Sequence, residues 1–275
     1  MRVVLRVLGG TAAVLFAVVC YLYLTLPDVR PLRERAPETT AFMELRDREA
    51  RARGESPRRR QRWVAYNRIS EHLKRAVLVA EDSAFWEHEG IDVEQIQRSI
   101  EINLERGRIL RGGSTITQQL AKNLYLSPSR DPLRKLRELF IARRLEAELG
   151  KRRILELYLN VIEWGDGIYG AEAAARTYFG RSAASLSPRE AALLAAAIIN
   201  PRIYNPARPG SRLLARQRLI LRRMRYVEPP PPAPEPAAEP AALPADAPPG
   251  APLELVPGRP VPAEPPPVRP PAQFF

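Results

Sequence analysis

The chain has 275 residues, a formal net charge of +12, one cysteine and two histidines. A single cysteine excludes an internal disulfide, and so few cysteines and histidines leave a zinc cluster without its usual ligands. The cationic excess points to an anionic partner, be it phosphate, a lipid head group or nucleic acid, without choosing among them.

Val7 to Leu26 is an uncharged, mostly apolar run, long enough to cross a bilayer as a helix. Arg2 and Arg6 precede it and Pro27 ends it. The run is long and lacks a clean small-x-small cleavage site, so residues 1–27 read as a short N-terminal segment plus an uncleaved signal-anchor. Val19 before Cys20 makes a poor lipid-attachment site. Charge leaves the orientation ambiguous, because Arg30, Arg33 and Arg35 follow the run.

Residues 28–62 are rich in arginine and glutamate and read as a charged, solvated stalk, partly helical around Thr40 to Arg53. The cluster Arg58-Arg59-Arg60-Gln61-Arg62 reads either as a contact to anionic lipid heads or as an ordinary linker.

Residues 63–227 follow a helical period. Ile69, Leu73, Ala76, Val77 and Ala80 form an apolar stripe leading into Glu81. Val93, Ile96, Ile100 and Leu104 form a second, ended near Gly107. Leu133, Leu136, Phe140, Leu145 and Leu149 mark a third, after the helix-start signal Ser129-Arg130-Asp131-Pro132. Ile154, Leu155, Tyr158 and Leu159 make a fourth, read as core. Ser187-Pro188-Arg189-Glu190 opens an alanine- and leucine-rich helix that Asn200-Pro201 stops. An arginine-rich run from Ser211 to Arg225 is the last helix. No alternating strand of any length stands out, so the fold class is mainly α. Residues 228–275 hold most of the 29 prolines, interleaved with alanine and acids, and are expected to be a disordered tail with polyproline character.

Two stretches carry chemistry. Glu81 ends an apolar stripe and precedes Phe85 and Trp86, and burial beside aromatics raises a carboxylate's proton affinity. That suits a general base near neutral pH; the plain alternative is a solvated helix-end pair with Asp82. Asp82 and His88 suit supporting roles. Gly112 to Asn123 offers Ser114, Thr115, Thr117, Gln118 and Gln119, with Lys122 one turn beyond Gln118. It suits hydroxyl-rich or phosphorylated ligands, but lacks the ending of a Walker loop. The plain alternative is a glycine turn capping a polar helix. Downstream, Arg130, Arg134, Lys135 and Arg137 cluster with Glu138, either as solvated pairs or as a grip on a diphosphate.

These segments together resemble the glycosyltransferase domain of peptidoglycan synthases, glycosyltransferase family 51. The matching motifs are Glu-Asp-x-x-Phe-x-x-His-x-Gly at 81–90, Gly-Gly-Ser-Thr-Ile-Thr-Gln-Gln-Leu-x-Lys-Asn at 112–123, Arg-Lys-x-x-Glu at 134–138 and Lys-x-x-Ile-Leu-Glu-x-Tyr-Leu-Asn at 151–160. The glycine-rich stretch from Gly165 to Gly180 continues the match. With only a proline-rich tail after it, the chain looks like a monofunctional, membrane-anchored member.

The resemblance implies a lysozyme-like fold that polymerises lipid II outside the cytoplasmic (inner) membrane, with the N-terminus inside. It makes Glu81 the general base and Glu138 the second essential glutamate, near the diphosphate or its metal. Lys122, Arg130, Arg134 and Lys135 would stabilise the leaving group. Asp82, Ser114, Thr115, Gln118 and Gln119 are expected to support or bind substrate. No cofactor is required by the sequence, but a magnesium or manganese ion, with Glu138 as a candidate ligand, has room. The implied partners are lipid II, the growing glycan strand, the membrane and other cell-wall synthesis or division proteins. The segment Ile91 to Arg111 is expected to be flexible and to touch the membrane, and Arg137 stands where the family often has lysine.

Three rival readings follow from the same residues. A lysozyme-like hydrolase would have no use for cations that grip a diphosphate. A non-catalytic synthase scaffold would not need Glu81 or Glu138. A nucleic-acid binder rests on charge alone and conflicts with the anchor.

Overall fold

The computed structural model describes residues 2–107, 113–127 and 131–226. Arg108, Arg111, Gly112, Ser129, Arg130 and the 228–275 tail lie outside the described residues.

Helix α1 (Arg2–Leu24) has 23 residues and is apolar enough to cross a membrane; its length is roughly 35 Å at 1.5 Å per residue. Then follow α2 (Ala41–Ala52), β1 (Arg60–Gln61), α3 (Glu71–Glu81), α4 (Val93–Glu105), α5 (Ile116–Tyr125), α6 (Pro132–Glu148) and α7 (Lys151–Val161). The chain continues through β2 (Glu163–Gly165), β3 (Ile168–Tyr169), α8 (Ala171–Phe179), α9 (Pro188–Ala197) and α10 (Ser211–Arg223). The fold is mainly α, as the helical period predicts. The strands that escape a search for alternation are only two or three residues long. They form one sheet in the order β1-β3-β2, with β1 parallel and β2 antiparallel to β3.

The helix starts obey local chemistry. Ser70 caps α3 by accepting from the Leu73 N–H, Thr115 caps α5 from Gln118, and Asp131 caps α6 ahead of Pro132. Ser187 and Glu190 close a capping box at α9. Such caps contribute about 1 kcal/mol each.

Two packing groups meet at the core. Helices α3, α9 and α10 pack on one another, and α5 packs on α2, α6 and α7. Leu73, Ala76 and Val77 of α3 are fully buried, as are Leu120 of α5, Ile141 of α6 and Leu155 of α7. Gly170 links β3 to α8 at φ +83°, and a Cβ there would stand 2.7 Å from the Asn160 carbonyl oxygen, so only glycine fits.

The solvated stalk expected at 28–62 is instead folded onto the domain. Val29 and Met43 are fully buried, Leu32 is buried, and α2 packs against α5. Some of the charges that made this segment look solvated tie it to the domain: Arg46 bonds Glu163 at 2.9 Å, and Arg33 bonds Glu148 at 2.5 Å. The α4 stripe also differs from a core stripe, since Val93, Ile100 and Leu104 are exposed. That leaves an amphipathic helix with an apolar outer face, the kind that lies on a membrane surface.

Candidate active site

Glu81 is the last residue of α3, and its side chain is only 13% exposed. Gln119 Nε2 donates to Glu81 Oε2 at 2.9 Å, and the Tyr158 hydroxyl donates to Gln119 Oε1 at 2.8 Å. Arg216 of α10 brings Nη2 to 3.6 Å from Glu81 Oε1. Burial pushes the Glu81 carboxyl above the ordinary carboxylate range, while Gln119 and Arg216 pull it down. The result is a buried carboxylate held in one orientation, with its proton affinity raised.

Asp82 leaves the helix and is itself buried. Its Oδ2 accepts the Ile116 N–H at 2.9 Å, so it anchors the start of α5. His88 Nε2 lies 3.0 Å from Asp82 Oδ1, and His88 Nδ1 accepts the Gly90 N–H at 3.1 Å. With Nδ1 an acceptor, the imidazole proton sits on Nε2 and is given to Asp82. Thr115, the α5 cap, donates to the Gly90 carbonyl at 2.7 Å. Asp82 and Thr115, expected at the substrate, hold the 82–90 loop against α5.

That loop is also held from α6 and α7. Thr117 and Lys151 both donate to Glu146 Oε1, at 2.6 and 2.8 Å, and Lys151 Nζ stands 4.5 Å above the Phe85 ring. Gly90 has φ +85°, and a Cβ there would lie 3.0 Å from Glu146 Cγ.

The second half of the site is cationic. Glu138, 3% exposed, accepts from Arg134 Nη1 at 2.6 Å and from Lys135 Nζ. Lys135 Nζ also reaches Ser114 Oγ and Gln118 Oε1, each at 3.3 Å. Gln118 is buried, and its Nε2 has no partner among the described residues. Lys122 stands near Glu138, Arg134, Lys135 and Glu81. Burial, and then the neighbouring cations, push its pKa down, against the pull of Glu138. No carboxylate forms an ion pair with Lys122 among the described residues. A half-buried cation beside two others calls for an anion.

Neither carboxylate cluster fits a divalent metal as arranged. Both Glu138 oxygens are bracketed by cations. Asp82, His88 and Asp92 lie close enough to share an ion, yet His88 presents an N–H to Asp82 and its other nitrogen is taken by Gly90.

The structure therefore brings Glu81, Gln119, Ser114, Gln118, Lys122, Arg134, Lys135 and Glu138 together around α5 and the first turns of α6. The expected phosphate ligand Arg130 lies outside the described residues. Gln119, expected to bind substrate, bonds Glu81 and Tyr158 in this structure. Arg216 was not singled out by sequence, although a signal existed: it sits three residues after Leu213 and four before Ile220, both buried. That spacing puts a cation on the inward stripe of α10.

A family model described as Transglycosylase matches residues 48–225. A protein of Nitrosospira multiformis named biosynthetic peptidoglycan transglycosylase is 52% identical over 188 residues, covering 68% of this chain and 82% of that protein. Proteins of the same name from Thiobacillus denitrificans and Chromobacterium violaceum are 50% and 46% identical over 224 and 231 residues. Those two alignments cover 81% and 83% of this chain and 96% and 99% of the relatives.

Proposed function

This chain belongs to the transglycosylase family, and we propose that it polymerises lipid II into glycan strands with Glu81 as general base. At the coarser level it is a peptidoglycan transglycosylase, a glycosyltransferase of cell-wall synthesis. The observation that carries the finer reading is the position of α5. Its Gln119 holds the buried Glu81, while its Gln118 and Lys122 stand in the cation cluster of Arg134, Lys135 and Glu138.

In this mechanism Glu81 takes the proton of the 4-hydroxyl on the acceptor's N-acetylglucosamine. The oxygen forms its bond to the anomeric carbon of the growing glycan. The bond from that carbon to the diphosphate oxygen breaks with inversion, and its electron pair leaves on undecaprenyl diphosphate. Raised proton affinity makes Glu81 a better base near neutral pH than a solvated carboxylate. Lys122, Arg134 and Lys135 stabilise the charge growing on the leaving diphosphate, and burial of Lys122 strengthens its share. We assign Arg130 the same role on the family resemblance. Ser114 and Gln118 position the sugar diphosphate. Glu138 holds Arg134 and Lys135 in register for it. A magnesium or manganese ion would enter with the substrate phosphates rather than on Glu138.

Helix α1 fits a single-pass membrane anchor. We place its N-terminus in the cytoplasm and the domain on the outer face of the cytoplasmic membrane, where lipid II and the growing strand meet it.

The test follows polymer formation from purified lipid II by wild type and Glu81→Gln. Wild type should give glycan strands, and the variant should lose at least ~10²-fold in rate. Equal polymer from both would sink Glu81 as base. Cleavage of preformed glycan with no polymer would replace synthesis by hydrolysis.

A further inference from the structure

The two oxygens of Glu81 face different elements. Oε2 takes the Gln119 N–H from α5, whereas Oε1 faces Arg216 of α10. The buried Nε of Arg216 has no partner among the described residues. A guanidinium carries five N–H donors in a fixed fork, so this one has a donor left to give.

Arg216 does not stand alone on its helix. Arg212, Arg216, Leu219 and Arg223 are spaced at i, i+4, i+7 and i+11, so they form one line along α10. Arg212 and Arg223 are exposed, and neither forms an ion pair among the described residues. Their own stretch of chain supplies no partner, since no aspartate or glutamate occurs from Ala191 to Val227. At 1.5 Å per residue the three arginines stand roughly 6 and 10 Å apart along the axis.

The cations of α6 are arranged differently. Arg134 and Lys135 are adjacent and converge on Glu138, with Lys122 close by. A compact diphosphate suits that convergence. A row spread over three turns suits several separated anions, and the arginine fork matches a carboxylate two oxygens at a time. Leu219, exposed between Arg216 and Arg223, adds an apolar contact. A peptide with carboxylates set along its length meets both. The row also lies off the element that carries the anchor: α10 packs on α9 and α3, whereas α1 packs on α6.

We propose that Arg212 and Arg223 make α10 a specificity-determining edge of the site, one that takes the carboxylates of the peptide carried by the acceptor. The proposal rests on the lipid II reading above, in which the acceptor's hydroxyl comes to Glu81. It gives the two sides of Glu81 different work: α5 and α6 serve the leaving diphosphate, and α10 serves the incoming peptide.

The experiment uses the full chain in detergent and two forms of lipid II, one with free peptide carboxylates and one with those carboxylates amidated. Exposed arginine–carboxylate pairs are individually weak, so wild type should prefer the free acid by about three- to tenfold in kcat/KM. Arg212→Gln combined with Arg223→Gln should raise KM for the free acid by about that factor. It should leave kcat within about twofold and the amidated form unchanged. Circular dichroism checks the fold. A preference retained in the double variant, or an equal loss on both substrates, would overturn the peptide contact; the second result would give the row to a diphosphate or a membrane surface. A soluble disaccharide-peptide without lipid or diphosphate, free or amidated, is titrated onto the same proteins. Wild type should bind the free acid more tightly by a similar factor, and the double variant should not. That preference without polymer from lipid II upholds the row and overturns the synthase reading. Polymer without the preference overturns the row alone, and absence of both overturns both.

Discussion

The hydroxyl of Tyr158 donates to Gln119 Oε1 at 2.8 Å, and this one bond decides which end of the Gln119 amide meets Glu81. With its carbonyl occupied, Gln119 has only N–H to offer, and Glu81 Oε2 receives it at 2.9 Å. A donor aimed at a carboxylate favours the ionised form. Tyr158 is fully buried and is pushed well above its ordinary pKa by that burial, so it stays a neutral donor.

Tyr158→Phe removes this constraint and lets the amide turn its oxygen toward Glu81. Loss of a bond to the charged form raises the carboxyl further, and the base is available only above its pKa. The acid limb of the kcat/KM profile should therefore move to higher pH, with activity recovering to within a few-fold above it. A uniform loss with an unmoved limb would reduce Tyr158 to packing.

Arg216→Gln should move the same limb in the same direction. Arg216 pulls the Glu81 pKa down from 3.6 Å away, and its removal leaves burial less opposed. The guanidinium is partly exposed, so the shift should be about one pH unit or less. In wild type, added salt should mimic part of it. A pH-rate series at two ionic strengths checks both.

Lys122→Met separates function from stability. The ammonium is partly buried and forms no ion pair with a carboxylate among the described residues, so replacing it by a chain of similar length should leave the melting temperature unchanged or raise stability by up to about 1 kcal/mol. The same change should cost ~10²–10³ in kcat/KM, the range for one lost donor at a developing anion. Joint loss of activity and stability would make the lysine structural.

Gly90→Ala should destabilise the domain by about 1–3 kcal/mol, since it puts a Cβ at positive φ and against Glu146. Glu146 also holds Thr117 and Lys151, so the strain reaches α5 and α7. Urea unfolding measures the cost, and an unchanged midpoint would show that Glu146 yields freely.

Helices α3, α6, α7, α9 and α10 were legible from their helical composition and period, and α6 and α9 also from a start signal. The 28–62 segment was not, because Val29, Leu32 and Met43 are isolated among charged residues, and Arg33 and Arg46 find partners far along the chain. Composition registers charge but cannot show that it is paired. At the site, Glu81 and the cations were readable as residue types in the right order. The bonds that Asp82, Thr115 and Gln119 make within the domain were not, since a polar side chain facing a helix N-terminus looks in sequence like one facing a ligand. Tyr158 read correctly as core, but periodicity says nothing about where its hydroxyl points.

The arginines that tie the chain just after α1 to the domain have a mechanical consequence. Arg137 grips Thr25, Arg33 grips Glu148, and Arg153 grips the carbonyls of Leu32 and Arg35. On the anchor reading of α1, these bonds would leave the catalytic body little slack and hold it at one height above the bilayer, like a print head on a fixed gantry. Polymer would then be laid down at constant elevation, and the machine could travel only as fast as its single rail drifts through the lipid.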